Sequence, residues 1–186
     1  MPFIDVIEPN EATGILKEIY SDLQKSRGKL AMVHKIQSLN PESITAHMDL
    51  YMTVMFGKSP LKRPRREMMA VVVSAANNCD YCQLHHAEAL NHYWKNSERV
   101  DKLREDYSSI DLPDIDLQLC KLAEKLTISP NTIDGQEDIQ PLKKLGLSDR
   151  AILDATLIIS YFNFVNRMVL GLGVETNAEE VKGHKY

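Results

Sequence analysis

The sequence predicts an all-α protein. Apolar residues recur at i, i+3 and i+4, prolines and glycines sit where helices start and stop, and the alternating pattern of half-buried strands is nearly absent. A length of 186 residues suits one domain, and a hydrophobic share of 44% is enough to build a core. Gly and Pro, eight of each, are too few for a low-complexity or collagen-like chain.

Ile15, Leu16, Ile19, Tyr20 and Leu23 form the first helical stripe, which Gly28 ends. Asn40 as N-cap and Pro41 at the first helical position open a second helix, running through Ile44, Met48, Tyr51 and Met55 to Gly57. Pro64 opens a third, which carries Met68, Met69, Val71, Val72, Ala75 and Ala76. Val71-Val72-Val73 alone would suit a buried strand, but the helix signals on both sides favour helix. Asn77-Asn78 interrupt this run, and a fourth helix follows from about Cys79 to Tyr93. A polar surface segment then leads to Asp114, where a helix with Leu119, Leu122, Ala123 and Leu126 begins; Pro130 closes it. Asp134 to Leu145 reads as a short helix capped by Gly146, and Ser148 caps a long final helix to about Leu170. Residues 1–175 therefore read as a single helical domain and Thr176–Tyr186 as a polar, loose tail. Leu61, Ser74 and Asn77 recur as Leu147, Ser160 and Asn163 at a fixed offset, a weak internal echo.

A net charge of −4 and a pI near 5.9 give no reason to expect a nucleic-acid or anionic-membrane surface. The basic run Lys62-Arg63-Pro64-Arg65-Arg66 is too short to change that and reads as a solvated helix start. Ile152 to Leu172, the longest apolar stretch, is broken by Asp154, Ser160, Asn163, Asn166 and Arg167, so no membrane span is expected. The N-terminus lacks the basic and apolar regions of a secretory signal. Three cysteines, an odd and low count, suit a reducing, cytoplasmic setting rather than a disulfide scaffold.

The chemistry concentrates between Glu67 and His86. Cys79 and Cys82 form a C-x-x-C pair; if Asn78 caps the helix, both thiols lie in its first turn and on one face. That spacing brings their Cα atoms to about the ~5.5 Å a disulfide prefers. The positive end of the helix favours thiolate, so the thiol pKa should fall below its usual ~8.5. His86, four residues after Cys82 and seven after Cys79, projects from the same face and can serve as base to a thiol; His85 is rotated away by about 100°. Glu67 would lie about 18 Å from Cys79 on one straight helix. If the chain reverses at Asn77-Asn78, Glu67 and His86 reach similar heights, and a carboxylate beside an imidazole fixes its tautomer and raises its basicity. The same four residues, Glu67, Cys79, Cys82 and His86, could alternatively hold a zinc ion.

Glu67, Cys79-x-x-Cys82 and His86 at these spacings resemble the alkyl hydroperoxidase AhpD-like family, within the carboxymuconolactone decarboxylase superfamily. Met1-Pro2-Phe3, Val73-Ser74-Ala75 and Tyr161-Phe162-Asn163-Phe164-Val165-Asn166-Arg167 are similar to its peroxidase-related branch, so the likeness spans most of the chain. The resemblance implies an AhpD-like helical bundle with the CxxC at the N-terminus of a central helix. It also implies cysteine-based reduction of a peroxide substrate and assembly into homotrimers or hexamers. Glu67 and His86 would be the proton relay, Cys79 and Cys82 the redox pair, with no cofactor and no metal. Better-studied members have a histidine between the cysteines where this chain has Tyr81, and they are reduced by a lipoylated protein. The reductant expected here is therefore an unidentified dithiol. Decarboxylase members lack the cysteine pair, which argues against lactone decarboxylation.

The mechanism expected is proton transfer from Cys82 to His86, thiolate attack on the peroxide, and condensation of the sulfenic acid with Cys79. Helix position favours Cys79 as the attacking thiolate and the i, i+4 histidine favours Cys82, so both assignments stay open. A redox sensor or adaptor switched by a Cys79–Cys82 disulfide is the alternative outside enzymology, and a metal-binding protein is the third. Cys120, among Leu119, Leu122 and Ala123, is expected to be a buried, inert thiol. Asn163, Asn166 and Arg167 are expected either to line the site or to form an interhelical or intersubunit network. The methionines at 48, 52, 55, 68 and 69 are read as core or subunit interface, and His34, His47, His92 and His184 are given no role.

Overall fold

The computed structural model describes residues 1–176; the tail from 177 to 186, with His184, lies outside the described residues. Those residues form α1 (Gly14–Arg27), α2 (Met32–Lys35), α3 (Pro41–Tyr51), α4 (Arg63–Ala76), α5 (Asp80–Trp94), α6 (Ser97–Asp106), α7 (Asp114–Ile128), α8 (Gln140–Lys144) and α9 (Asp149–Gly171), with no strand among them. The protein is all-α. No helix among the described residues is long and apolar enough to cross a membrane.

Helix α4 is the axis of the molecule. Met68 to Ser74 are all buried on it, and it packs against α5, α7, α9 and α6. A helix that is apolar on every side must be surrounded, and this one is. A smaller apolar cluster of Leu16, Tyr20, Leu23 and Ile44 seats α1 on α3. The Asn77-Asn78 interruption is a helix reversal: Asn78 has φ 53°, the Asn78 amide donates to the Ala75 carbonyl, and the Cys79 amide donates to the Ser74 carbonyl. These paired bonds are those of a Schellman cap with asparagine in the left-handed position usually held by glycine. Cys79 thereby becomes the N-cap of α5, and α4 and α5 form a hairpin.

Two sequence expectations are corrected. The polar segment after α5 contains α6, started by Asn96, whose side chain accepts from the Arg99 amide, and anchored by buried Val100 and Leu103. Two apolar residues in ten are too few to produce a visible stripe. The basic run 62–66 is not a solvated helix start. Helix α3 ends in a widened turn over Met52–Phe56, leaving carbonyls without intrahelical donors. Arg66, only 5% exposed, donates to the carbonyls of Leu61, Val54 and Gly57, and Arg63 donates to that of Met55. Gly57 is required in this turn, because a Cβ there would fall 2.3 Å from the Thr53 carbonyl oxygen. Met55, Met68 and Met69 are core residues, while Met52 is exposed.

Candidate active site

The α4–α5 hairpin brings together all four residues singled out in the sequence. Glu67 lies in the first turns of α4 and is fully buried. Its Oε2 meets His86 Nδ1 of α5 at 2.7 Å. Its Oε1 accepts from Arg63 Nε at 2.8 Å and Nη2 at 2.5 Å. Arg63 is the partner the sequence reading missed; its position four residues before Glu67 on one helix was the available signal. Burial alone would push the Glu67 carboxyl up, but His86 and then Arg63 outweigh it and hold the group below its ordinary value. Glu67 is therefore a carboxylate, and because Nδ1 of His86 faces it, Nε2 is the nitrogen left for chemistry. The His86 ring is set edge-on to Phe162 of α9, with centroids 4.4 Å apart.

The sulfurs of Cys79 and Cys82 are 2.9 Å apart, and both cysteines are buried and unbridged. The expectation that both thiols acidify holds for one of them. The hydrogen bond from Cys82 outweighs burial and brings Cys79 down, whereas the contact with Cys79, added to burial, pushes Cys82 well up. Physically, the pair gives up one proton readily and the second with difficulty, because two thiolates cannot occupy adjacent buried positions. Asn166 of α9 hydrogen-bonds Cys82 and opposes that rise.

Asn166 belongs to a network that pins the cysteine turn to the rest of the bundle. Asn77 Nδ2 donates to Asn163 Oδ1 at 3.0 Å and to Asn166 Oδ1 at 3.2 Å, Asn163 reaches Thr127 of α7, and Arg167 donates to Asn163 Oδ1. The interhelical reading of these residues is the one the structure matches. Asn77 and Asn163, equivalent positions in the weak internal echo, meet directly. Asn166 is fully buried, and its partners satisfy its amide.

A cavity of about 100 Å³ opens onto this hairpin, lined by Cys82, His86, Tyr81, Tyr161, Phe162 and Arg27 among others. Cys79 is not part of its wall. His47, given no role from sequence, also lines it and is buried between Gln37 and Tyr161. Cys120 is fully buried in α7 and its thiol is pushed far up by burial, as an inert core cysteine requires. Among the described residues no three His, Cys, Asp or Glu side chains converge as metal ligands. Both oxygens of Glu67, one of the four residues considered above for zinc, hydrogen-bond instead to Arg63 and His86.

Residues 41–105, from α3 through most of α6, match the profile of the carboxymuconolactone decarboxylase family. An uncharacterized peroxidase-related protein from Silicibacter sp. TM1040 is similar over 97% of this chain and 92% of its own, with 27% identity and a TM-score of 0.83. The profile match and this structural likeness both support the AhpD-like carboxymuconolactone decarboxylase superfamily. A peroxidase-related protein with an alkylhydroperoxidase AhpD core, from Ralstonia eutropha JMP134, shares the fold at a TM-score of 0.86 and 24% identity, over 99% of this chain and 98% of its own. So does the debrominase Bmp8, at 0.78 and 19%, over 97% and 98%. No curated protein matches the sequence. The part matched by the family profile contains the whole α4–α5 hairpin, and hence Arg63, Glu67, both cysteines and His86.

Proposed function

We propose that this AhpD-like protein is a cysteine-based peroxidase that reduces hydroperoxides with the Cys79/Cys82 pair. The observation that carries the reading is a contacting cysteine pair with one sulfur, that of Cys82, on the wall of a small cavity beside a carboxylate-oriented histidine. A structural role for the cysteines needs no cavity and no buried Arg63–Glu67–His86 chain.

The dithiol loses its first proton to His86, directly or through a water, and Glu67 stabilises the imidazolium formed. The thiolate rests on Cys79, the more acidic of the two, and the remaining proton crosses between sulfurs 2.9 Å apart to carry it to Cys82, the one facing the cavity. Cys82 attacks the O–O bond, giving a sulfenic acid and an alkoxide that takes the proton back from His86. Cys79 then displaces water from the sulfenic acid and the disulfide forms. An external dithiol returns the pair to the reduced state by exchange. The sum is one hydroperoxide and two thiols converted to alcohol, water and disulfide. In this reading Cys82 attacks and Cys79 resolves; of the two assignments the sequence left open, access to the cavity favours this one. A homotrimeric or hexameric assembly and a cytoplasmic setting accompany this reading as proposals.

Steady-state consumption of cumene hydroperoxide with dithiothreitol as donor tests it. Turnover that is lost in both Cys82→Ser and Cys79→Ser, with a sulfenic acid trapped at Cys82 in the Cys79→Ser protein, is the expected result. Stoichiometric oxidation without turnover would instead indicate a redox sensor.

A further inference from the structure

His47 is held by two bonds whose directions can be worked out. Gln37 Nε2 lies 2.8 Å from the Val33 carbonyl oxygen and 2.8 Å from His47 Nδ1. A carbonyl only accepts, so the Gln37 atom against Val33 is the amide nitrogen, and that nitrogen only donates. His47 Nδ1 is therefore an acceptor and carries no hydrogen. Burial keeps the ring neutral, with a pKa lowered to about 4. Its single N–H is then at Nε2, 2.6 Å from the hydroxyl oxygen of Tyr161, which it donates to.

The consequence falls on Tyr161. Its oxygen accepts from His47, so its own O–H cannot point back along that bond and must be directed elsewhere. Among the described residues Tyr161 has no second hydrogen-bond partner, and the residue lines the same cavity as Cys82 and His86. Burial, with Tyr51 and Cys82 adding to it, holds the phenol well above its ordinary pKa, so the hydroxyl stays protonated.

We propose that Tyr161 is a further catalytic residue, a preset donor whose hydroxyl hydrogen-bonds the peroxide oxygen that leaves as Cys82 attacks. This rests on the peroxidase reading above. The negative charge that leaves the sulfur accumulates on that oxygen, and a donor fixed in place before the reaction stabilises it without reorganisation. No proton is transferred from the phenol; His86 supplies the one that makes the alcohol. Gln37 and His47 are positioning residues, setting the direction of the tyrosine O–H through the tautomer of the imidazole.

The test is Tyr161→Phe, which keeps the ring and removes only the donor. Stopped-flow oxidation of the reduced protein by tert-butyl hydroperoxide, whose leaving group is a basic alkoxide, should slow by about tenfold or more. Oxidation by peracetic acid, whose carboxylate leaves easily, should slow less, and alkylation of Cys82 by iodoacetamide should change by less than twofold. A uniform loss with all three reagents, or none with the alkyl hydroperoxide, overturns the proposal. Nitrogen-15 NMR of wild-type His47 gives a readout independent of turnover: a pyridine-type Nδ1 and pyrrole-type Nε2 are expected, and the reverse overturns the proposal even in an active enzyme. If wild-type protein is oxidised by no peroxide faster than free cysteine, the peroxidase reading itself fails, and Tyr161 as its donor with it. The same NMR spectrum then shows whether the donor is set all the same.

Discussion

Two of the histidines that line the cavity, His86 and His47, are held in opposite ways. His86 is held by a buried charge: Glu67 on one nitrogen, with Arg63 behind the carboxylate. His47 is held by neutral groups, an amide on one side and a phenol on the other. The charged chain suits a base that gains and returns a proton, since a carboxylate stabilises the imidazolium. The neutral chain suits a ring that stays neutral above its pKa of about 4 and only fixes a direction. The comparison teaches that the partners of a buried histidine, more than its burial, decide whether it moves protons or aligns them.

The sharpest way to break this comparison is to remove one partner from each chain. Glu67→Ala leaves Arg63 largely buried without its carboxylate, and a loss of about 3–5 kcal/mol in urea unfolding is expected. Gln37→Ala removes a neutral donor and should cost only about 1–3 kcal/mol. Equal losses would erase the distinction between charged and neutral chains.

Acid titration separates the two chains next. His47 has a folded pKa of about 4 against 6.5 in the unfolded chain, so the unfolded state binds the extra proton between those values. Its contribution is complete above pH 6.5 and lost as pH falls to 4, amounting to about 3 kcal/mol. Glu67, whose folded pKa is lowered, contributes stability that is present above about pH 4.5 and lost only as pH falls through its folded value. Stability measured against pH should therefore fall in two stages, and His47→Gln should remove the first.

Smaller effects sharpen the picture of the cysteine turn. Asn78→Ala places a Cβ-bearing residue without a helpful side chain at φ 53°, and a loss of about 1–2 kcal/mol in thermal unfolding is expected. Cys120→Ala should leave the rate of peroxide oxidation unchanged, because that thiol is buried away from the cavity. A slower rate in that variant would mean a third sulfur takes part.

The sequence made the hairpin legible because its signals are local: Pro64 near the start of α4, two asparagines at its end, and a histidine one turn beyond Cys82. It made Glu67 legible because an acid at the head of the apolar run Met68–Ala76 needs a partner. Arg63, Tyr161, His47 and Gln37 were not read as part of the site. Arg63 was hidden in a run of basic residues of which three turned out to be paired for different reasons, Arg65 with Asp116, Arg66 with carbonyls, and Arg63 with Glu67. His47 and Tyr161 are separated by more than a hundred positions and meet only because α3 and α9 converge at the cavity. Helix α6 escaped notice because its burial rests on Val100 and Leu103 alone. Local chemistry was visible from spacing, while contacts made by distant helices required the fold.

The central claim is that the Glu67-oriented His86 activates the Cys79/Cys82 pair toward peroxide. The most direct measurement is mass-spectrometric thiol titration of the reduced protein against one equivalent of cumene hydroperoxide, with His86→Ala alongside. Fast loss of two thiols into a Cys79–Cys82 disulfide, slowed by about a hundredfold in the variant, is the predicted result. Oxidation no faster than that of free cysteine, or equal rates in the two proteins, would contradict it.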